Sequence, residues 1–238
     1  MLMGQAGAIL AVLFVYMTFG FSPQRTSPQE ISVVTHNVGQ GDRKRFVNFV
    51  RAHEPDLVLL QDARTRGPAY TRMFPDRYVS TRGEFLLISK HLIQQARMVE
   101  KPLWRRRPVA ARFEIIIHSR LVAVYNVHLP TPRQQLSRFL GPGIVADLLP
   151  DEELGPAYAT YREWLRARVA LARELADVIA AERLPCIVAG DFNMPDHGHI
   201  YHLFASRVTD AFDAAGRGWG LTFPGGTRNP LALFGAWL

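Results

Sequence analysis

The sequence predicts a mixed-sheet α/β sandwich. Short apolar runs alternate with helical patterns, as in α/β folds. Several of those runs are apolar without alternation, as strands buried on both faces are. One pair of runs also meets across two residues, the mark of an antiparallel hairpin.

Ile31–Thr35 (ISVVT) reads as a strand. Asp42 is placed to cap a helix with Phe46, Phe49 and Val50 on one face, ending before Pro55. Leu57–Leu60, Phe85–Ile88 and Cys186–Ala189 read as short buried strands. Val109–His118 and Leu121–Val127 form the expected hairpin across Ser119-Arg120. Thr131–Gly155 is rich in Pro and Gly and lacks a period, so it reads as a long loop. Tyr158–Arg183 is the strongest helix, with Tyr158, Tyr161, Leu165, Ala172, Leu175 and Ile179 at helical spacing and Pro185 beyond it.

The 238 residues, 48% apolar and 11% aromatic, exclude a disordered chain. A single cysteine, Cys186, excludes a disulfide framework and a thiolate zinc cluster. The net charge of +7 favours anionic partners: nucleic acid, lipid headgroups or phosphate esters. All but three of the 28 basic residues are arginine, a skew read mainly as codon bias.

No charged side chain precedes Arg25, and Ala6–Phe21 is apolar apart from Thr18. Residues 1–24 are therefore expected to be a membrane anchor, because roughly 20 helical residues span a bilayer core. A signal peptide and a buried core helix are the rival readings; the first lacks a basic start and a clear cleavage site. Residues 25–30 read as a linker and 31–238 as one domain. The domain is expected on the extracytoplasmic side, or secreted if the segment is cleaved.

What ends each run carries the chemistry. Ile31–Thr35 leads to Asn37, Leu57–Leu60 to Gln61 and Asp62, and Cys186–Gly190 to Asp191 and Asn193. Leu121–Val127 carries Asn126 and leads to His128, on the same face by period-two alternation. Polar groups at the carboxyl ends of buried strands converge on one rim, where α/β proteins place ligands. Asp62 with amides and no thiolate suits a hard cation, Mg²⁺ with Mn²⁺ as the alternative. Asparagines donate to phosphoryl oxygens without adding charge, and His128 is suited to protonating a leaving group.

T-H-N (Thr35–Asn37), L-L-Q-D (Leu59–Asp62), G-E-F-L-L-I-S-K (Gly83–Lys90), Y-N-V-H-L (Tyr125–Leu129), A-G-D-F-N-M-P (Ala189–Pro195) and G-L-T-F-P (Gly220–Pro224) occur in this order. Together they resemble the endonuclease/exonuclease/phosphatase superfamily, over about residues 31–224. The resemblance implies a four-layered α/β sandwich of the deoxyribonuclease-I-like type, with two mixed β-sheets, and Mg²⁺-dependent cleavage of phosphate esters. It implies that Asn37 and Asp62 hold the metal, Asn37 also orienting phosphate. Asn126 would support the site and bind substrate, and His128 would contact the scissile phosphate or leaving group. Asp191 would orient or activate water, and Asn193 would bind phosphate as part of the catalytic set.

Two departures stand out. Asp62 occupies the place of the family's usual glutamate, one methylene longer. The family's closing S-D-H segment is also absent: the sequence ends at Trp237-Leu238, and Asp196-His197 directly follows G-D-F-N. The expectation is a copy lacking the final strands, with impaired charge stabilisation.

The expected activity is that of a membrane-proximal phosphohydrolase or phosphodiesterase. A DNA or RNA nuclease and a binding-only scaffold are the alternatives, and no protein partner is evident. Arg105–Arg107 reads as a solvated face or a contact for headgroups or nucleic acid. The His197, His199, His202 cluster reads as structural. One of Arg162, Arg166 and Arg173 is expected near the site. Glu84 stands where some nucleases support the histidine, and carries no assigned role. His36 should point away from Asn37.

Overall fold

The computed structural model describes residues 30–39, 43–132, 155–194 and 198–216. The apolar segment 1–24, most of the linker, Asp42, nearly all of the 131–155 loop, Asp196-His197 and the 220–224 motif lie outside them. Among the described residues no helix is long and apolar enough to cross a membrane. Residues 31–194 form one compact unit, and the described residues from 198 onward belong to another.

In the first unit the elements run β1 (Val33–Asn37), α1 (Arg43–His53), β2 (Leu57–Gln61), α2 (Gly67–Met73), β3 (Tyr78–Arg82), β4 (Phe85–Ser89) and β5 (Ile93–Met98). There follow β6 (Leu103–Trp104), β7 (Arg107–Pro108), β8 (Ala110–Ile117), β9 (Arg120–His128), α3 (Gly155–Ala180) and β10 (Cys186–Asp191). The second unit contains α4 (His199–Ala205) and α5 (Ala211–Ala215), the latter capped by the Asp210 carboxylate.

Two four-stranded sheets have the orders β1-β2-β4-β3 and β10-β9-β8-β5. Each mixes one parallel pair, β1 with β2 or β9 with β10, with antiparallel neighbours. The mixed α/β sandwich expected from sequence is the observed architecture.

Strand alternation sorts the core. Leu57, Leu59, Phe85 and Leu87 of the first sheet meet Ala111, Phe113, Ile115 and Val124 of the second. The opposite face of β2 and β4, with Val58, Leu60, Leu86 and Ile88, packs on Phe46, Val47 and Val50 of α1 and Tyr70 of α2. Strand β2 is buried throughout because both of its faces are covered. Helix α3 ends beside the second sheet's other face. Glu182, just past its end, accepts from Arg112 Nε (2.6 Å) and Tyr125 OH (2.8 Å). Chiefly the Arg112 hydrogen bond holds the Glu182 carboxyl down at about 2.

Several sequence expectations shift. β1 begins two residues later than ISVVT, which makes Asn37 its last residue. On α1 the buried stripe is Phe46, Val47 and Val50; Phe49 lies about 100° round the helix from it, is 44% exposed, and stacks on His53. The β8–β9 loop is His118-Ser119, both left-handed at φ 47° and 63°, with Ile117 paired to Arg120. β10 is half-buried because it is an edge strand. On α3, Leu165 is 37% exposed, while Trp164 and Arg168 occupy the buried stripe with Leu171, Leu175 and Ile179.

Candidate active site

The alternation that fills the inter-sheet core turns polar at one end. Thr35 and Asn37 of β1 and Gln61 of β2 continue the alternation of Ile31, Leu57 and Leu59; Asn126 and His128 follow Val124. The C-terminal ends of the two parallel pairs thus deliver their side chains to one rim.

Two glycines shape this rim. Gly190 has φ 152°, and a Cβ there would lie 2.0 Å from the Val127 carbonyl oxygen. The glycine of G-D-F-N is therefore needed for the close approach of β10 to β9. A Cβ on Gly39 would lie 2.6 Å from Asp62 Oδ2 and 3.1 Å from Asn37 Oδ1. Gly39 N also donates to Asn37 Oδ1 (2.9 Å), an Asx turn that fixes the amide.

At the rim, Asn37 Nδ2 donates to Asp191 Oδ2 (3.0 Å) and lies 3.3 Å from His128 Nε2. His128 Nδ1 is 2.9 Å from Glu84 Oε1. Nδ1–H donates to Glu84, which turns Nε2 toward the Asn37 amide and the open rim. Burial works against a charged His128 ring, but the Glu84 hydrogen bond and the charges of Glu84, Asp191 and Asp62 outweigh it, so its pKa is raised.

Asp62 sits just past β2 with a left-handed φ of 55°, a conformation aspartate adopts more readily than most residues. One ligand atom from each of Asp62, Glu84 and His128 lies within 4.8 Å of the others. Two carboxylates and an adjacent amide suit a hard divalent cation whose remaining positions are filled by water and phosphate. The residues present therefore fit such an ion.

Asn126 is fully buried. Its Nδ2 donates to the carbonyls of Leu60 (3.0 Å) and Leu86 (3.3 Å), and its Oδ1 accepts from Gln61 Nε2 (2.6 Å). It ties the two sheets together beneath the rim, out of reach of substrate. Asn193 Nδ2 donates to the Leu129 carbonyl (2.9 Å), and its backbone N–H donates to Asp191 Oδ1 (3.0 Å). His36 stacks on Phe46, on the side away from Asn37.

The arginine beside the site is not one of Arg162, Arg166 and Arg173, which are exposed. It is Arg168, whose Nε donates to Pro130 O (3.0 Å) and Nη2 to Phe192 O (3.2 Å) and Asn193 O. One guanidinium thus clamps the segments that follow β9 and β10. The signal was its place in line with Trp164, Leu171 and Leu175, where a charged residue is out of character. Glu84 stands in a two-residue β-hairpin loop after left-handed Gly83. Its carboxylate meets His128, the residue that the family resemblance pairs with this position.

Conjoined carboxylate, amide and imidazole groups on the rim of a mixed-sheet sandwich are the equipment of a phosphate-ester hydrolase. Residues 34–232 match the Endonuclease/Exonuclease/phosphatase family, and the chain belongs to it. No curated protein matches it by sequence.

Among solved structures it is similar to humanized D. rerio TDP2, at 15% identity and a TM-score of 0.44, covering 70% of this chain and 63% of that one. It is similar to sphingomyelinase C from Streptomyces griseocarneus, at 15% identity and TM-score 0.48, over 74% and 69% of the two chains. A Staphylococcus aureus beta toxin with bound magnesium ions gives 13% identity and TM-score 0.47, over 75% and 70%.

Proposed function

We propose that the chain is a metal-dependent phosphodiesterase acting on membrane-proximal phosphate esters. The observation that carries this reading is the gathering of Asp62, Glu84 and His128 within 4.8 Å, beside Asn37 and Asp191. The uncharged segment 6–21 and the net charge of +7 support a substrate near a membrane with anionic groups.

Asp62 and Asn37 would hold the ion, with Glu84 beside them. A divalent cation such as Mg²⁺ supplies neutralisation of charge on the phosphoryl oxygens when bound. Asp191 accepts a hydrogen bond from Asn37 and stands ready to orient a water. His128, held by Glu84, offers Nε2 to the phosphate or leaving group, and its raised pKa favours the protonated form that stabilises negative charge. Asn193 shapes the phosphate pocket from the loop that Arg168 clamps.

The test is hydrolysis of bis(p-nitrophenyl) phosphate by the full chain, with chelator and with added Mg²⁺. Metal-dependent turnover that falls at least about 100-fold in His128→Ala and Asp62→Asn is expected. No turnover with any divalent ion would leave a binding scaffold. Phospholipid and plasmid DNA tested side by side separate the substrates, and nicking of DNA alone would move the reading to a nuclease.

A further inference from the structure

Strands β6 and β7 form a two-stranded hairpin outside both sheets. Its two-residue loop is Arg105-Arg106, with φ of 48° and 65°. Such loops need left-handed backbone at both positions and ordinarily use asparagine or glycine. Two arginines resist that conformation, so local backbone preference does not explain them.

Lys101, Arg105, Arg106 and Arg107 are all exposed, and Leu103 among them is 45% exposed. Glu100 is the sole acid in the stretch 100–108. None of the four cations has a hydrogen-bond or ion-pair partner among the described residues.

The hairpin is tied to the catalytic rim. The Trp104 ring meets Trp164 of α3 edge-to-face, with centroids 6.1 Å apart. The Arg168 guanidinium lies over Trp164 at 5.6 Å and donates to the Phe192 and Asn193 carbonyls. Three side chains thus connect the cationic hairpin to the loop that carries Asn193.

We propose that this hairpin docks the protein on a bilayer bearing anionic headgroups, placing the bilayer beside the site. Guanidinium forks match phosphate oxygens. Leu103 adds an apolar side chain that inserts at the headgroup boundary. A nucleic-acid backbone would engage the arginines but leave Leu103 against water. Trp104, half-buried against Trp164, is not presented for stacking on bases. The use of a bilayer beside the site rests on the proposed function, whereas docking itself needs no hydrolysis.

The experiment uses the full chain carrying Cys186→Ala and Leu103→Cys, labelled at the new thiol with a polarity-sensitive fluorophore. The probe reports on the hairpin itself, however the rest of the chain attaches. Phosphatidylglycerol-containing vesicles should shift the emission to the blue, reversibly with salt, and pure phosphatidylcholine vesicles should not. Each basic group near an anionic leaflet strengthens binding roughly five-fold, so adding R105Q/R106Q/R107Q should weaken it about 100-fold, with an unchanged unfolding midpoint. A probe that ignores anionic vesicles, responds equally to neutral ones, or responds only to plasmid DNA overturns the proposal.

Discussion

Asn37 Nδ2 lies 3.0 Å from Asp191 Oδ2, joining the last residue of β1 in one sheet to the last residue of β10 in the other. The same amide sits 3.3 Å from His128 Nε2. One neutral side chain therefore sets the spacing between a carboxylate and an imidazole that would act on the same phosphate. An aspartate at position 37 would instead set a second negative charge against the Asp191 carboxylate, which is why the residue type matters as much as its place.

Gly39 leaves room for the Asp62 carboxylate. Gly39→Ala would press a methyl toward Asp62 Oδ2, 2.6 Å from the ideal Cβ position. Because residue 39 is exposed, the fold should survive. The expected result is about ten-fold weaker Mg²⁺ affinity by calorimetry, with the unfolding midpoint retained.

Glu84 raises the pKa of His128 above its ordinary 6.5 against the opposing effect of burial. The stability contributed by this pairing is fully present below pH 6.5, the unfolded-state value, and is lost as pH rises through the folded-state pKa. Glu84→Gln should lower the ring's pKa and move the alkaline limb of the rate profile to lower pH. NMR titration of the His128 ring checks this; identical titration curves would contradict it.

Asn126 is a structural cross-link. Asn126→Ala takes the 2.6 Å acceptor from Gln61 Nε2, leaving it the Thr35 hydroxyl at 3.1 Å, and removes a donor from the Leu60 and Leu86 carbonyls. At about 1–3 kcal/mol per buried group left unpaired, a loss of about 3 kcal/mol in urea unfolding is expected. Replacing Gln61 and Asn126 together by leucine should recover part of it, since neither buried amide is then orphaned.

Arg168 acts on the chemistry through the backbone it holds. Arg168→Met frees the Pro130, Phe192 and Asn193 carbonyls, and small misplacements of reacting groups cost up to about 100-fold in rate. Turnover number should fall while the KM for substrate changes little, and Arg168→Lys should restore part of the rate. Equal losses in the two variants, confined to stability, would leave Arg168 a packing residue.

The strands that form the buried sheet centres were legible because their runs are apolar on both faces, as in Leu57–Leu60 and Phe85–Ile88. The polar residues that end them were legible for the same reason: Asn37, Asp62, His128 and Asp191 interrupt a pattern. β3 and β5, with polar and apolar residues mixed at an edge, gave no such contrast. Phe49 and Leu165 misled because an apolar side chain at helical spacing need not face the core. Arg168 was hidden for the converse reason, since its charge is offset by carbonyls from segments distant in sequence. Glu84 was legible as a carboxylate placed to support the histidine only through the family resemblance, because its hydrogen bond to His128 spans 44 positions and no local pattern marks it.

Anomalous diffraction from crystals of the full chain soaked in Mn²⁺ tests the central claim most directly. A single strong peak within bonding distance of an Asp62 carboxylate oxygen, about 2.0–2.3 Å away, and on the side facing Asn37 is the expected result. Peaks only elsewhere, with the Asp62 carboxylate left unbound at saturating metal, would contradict it.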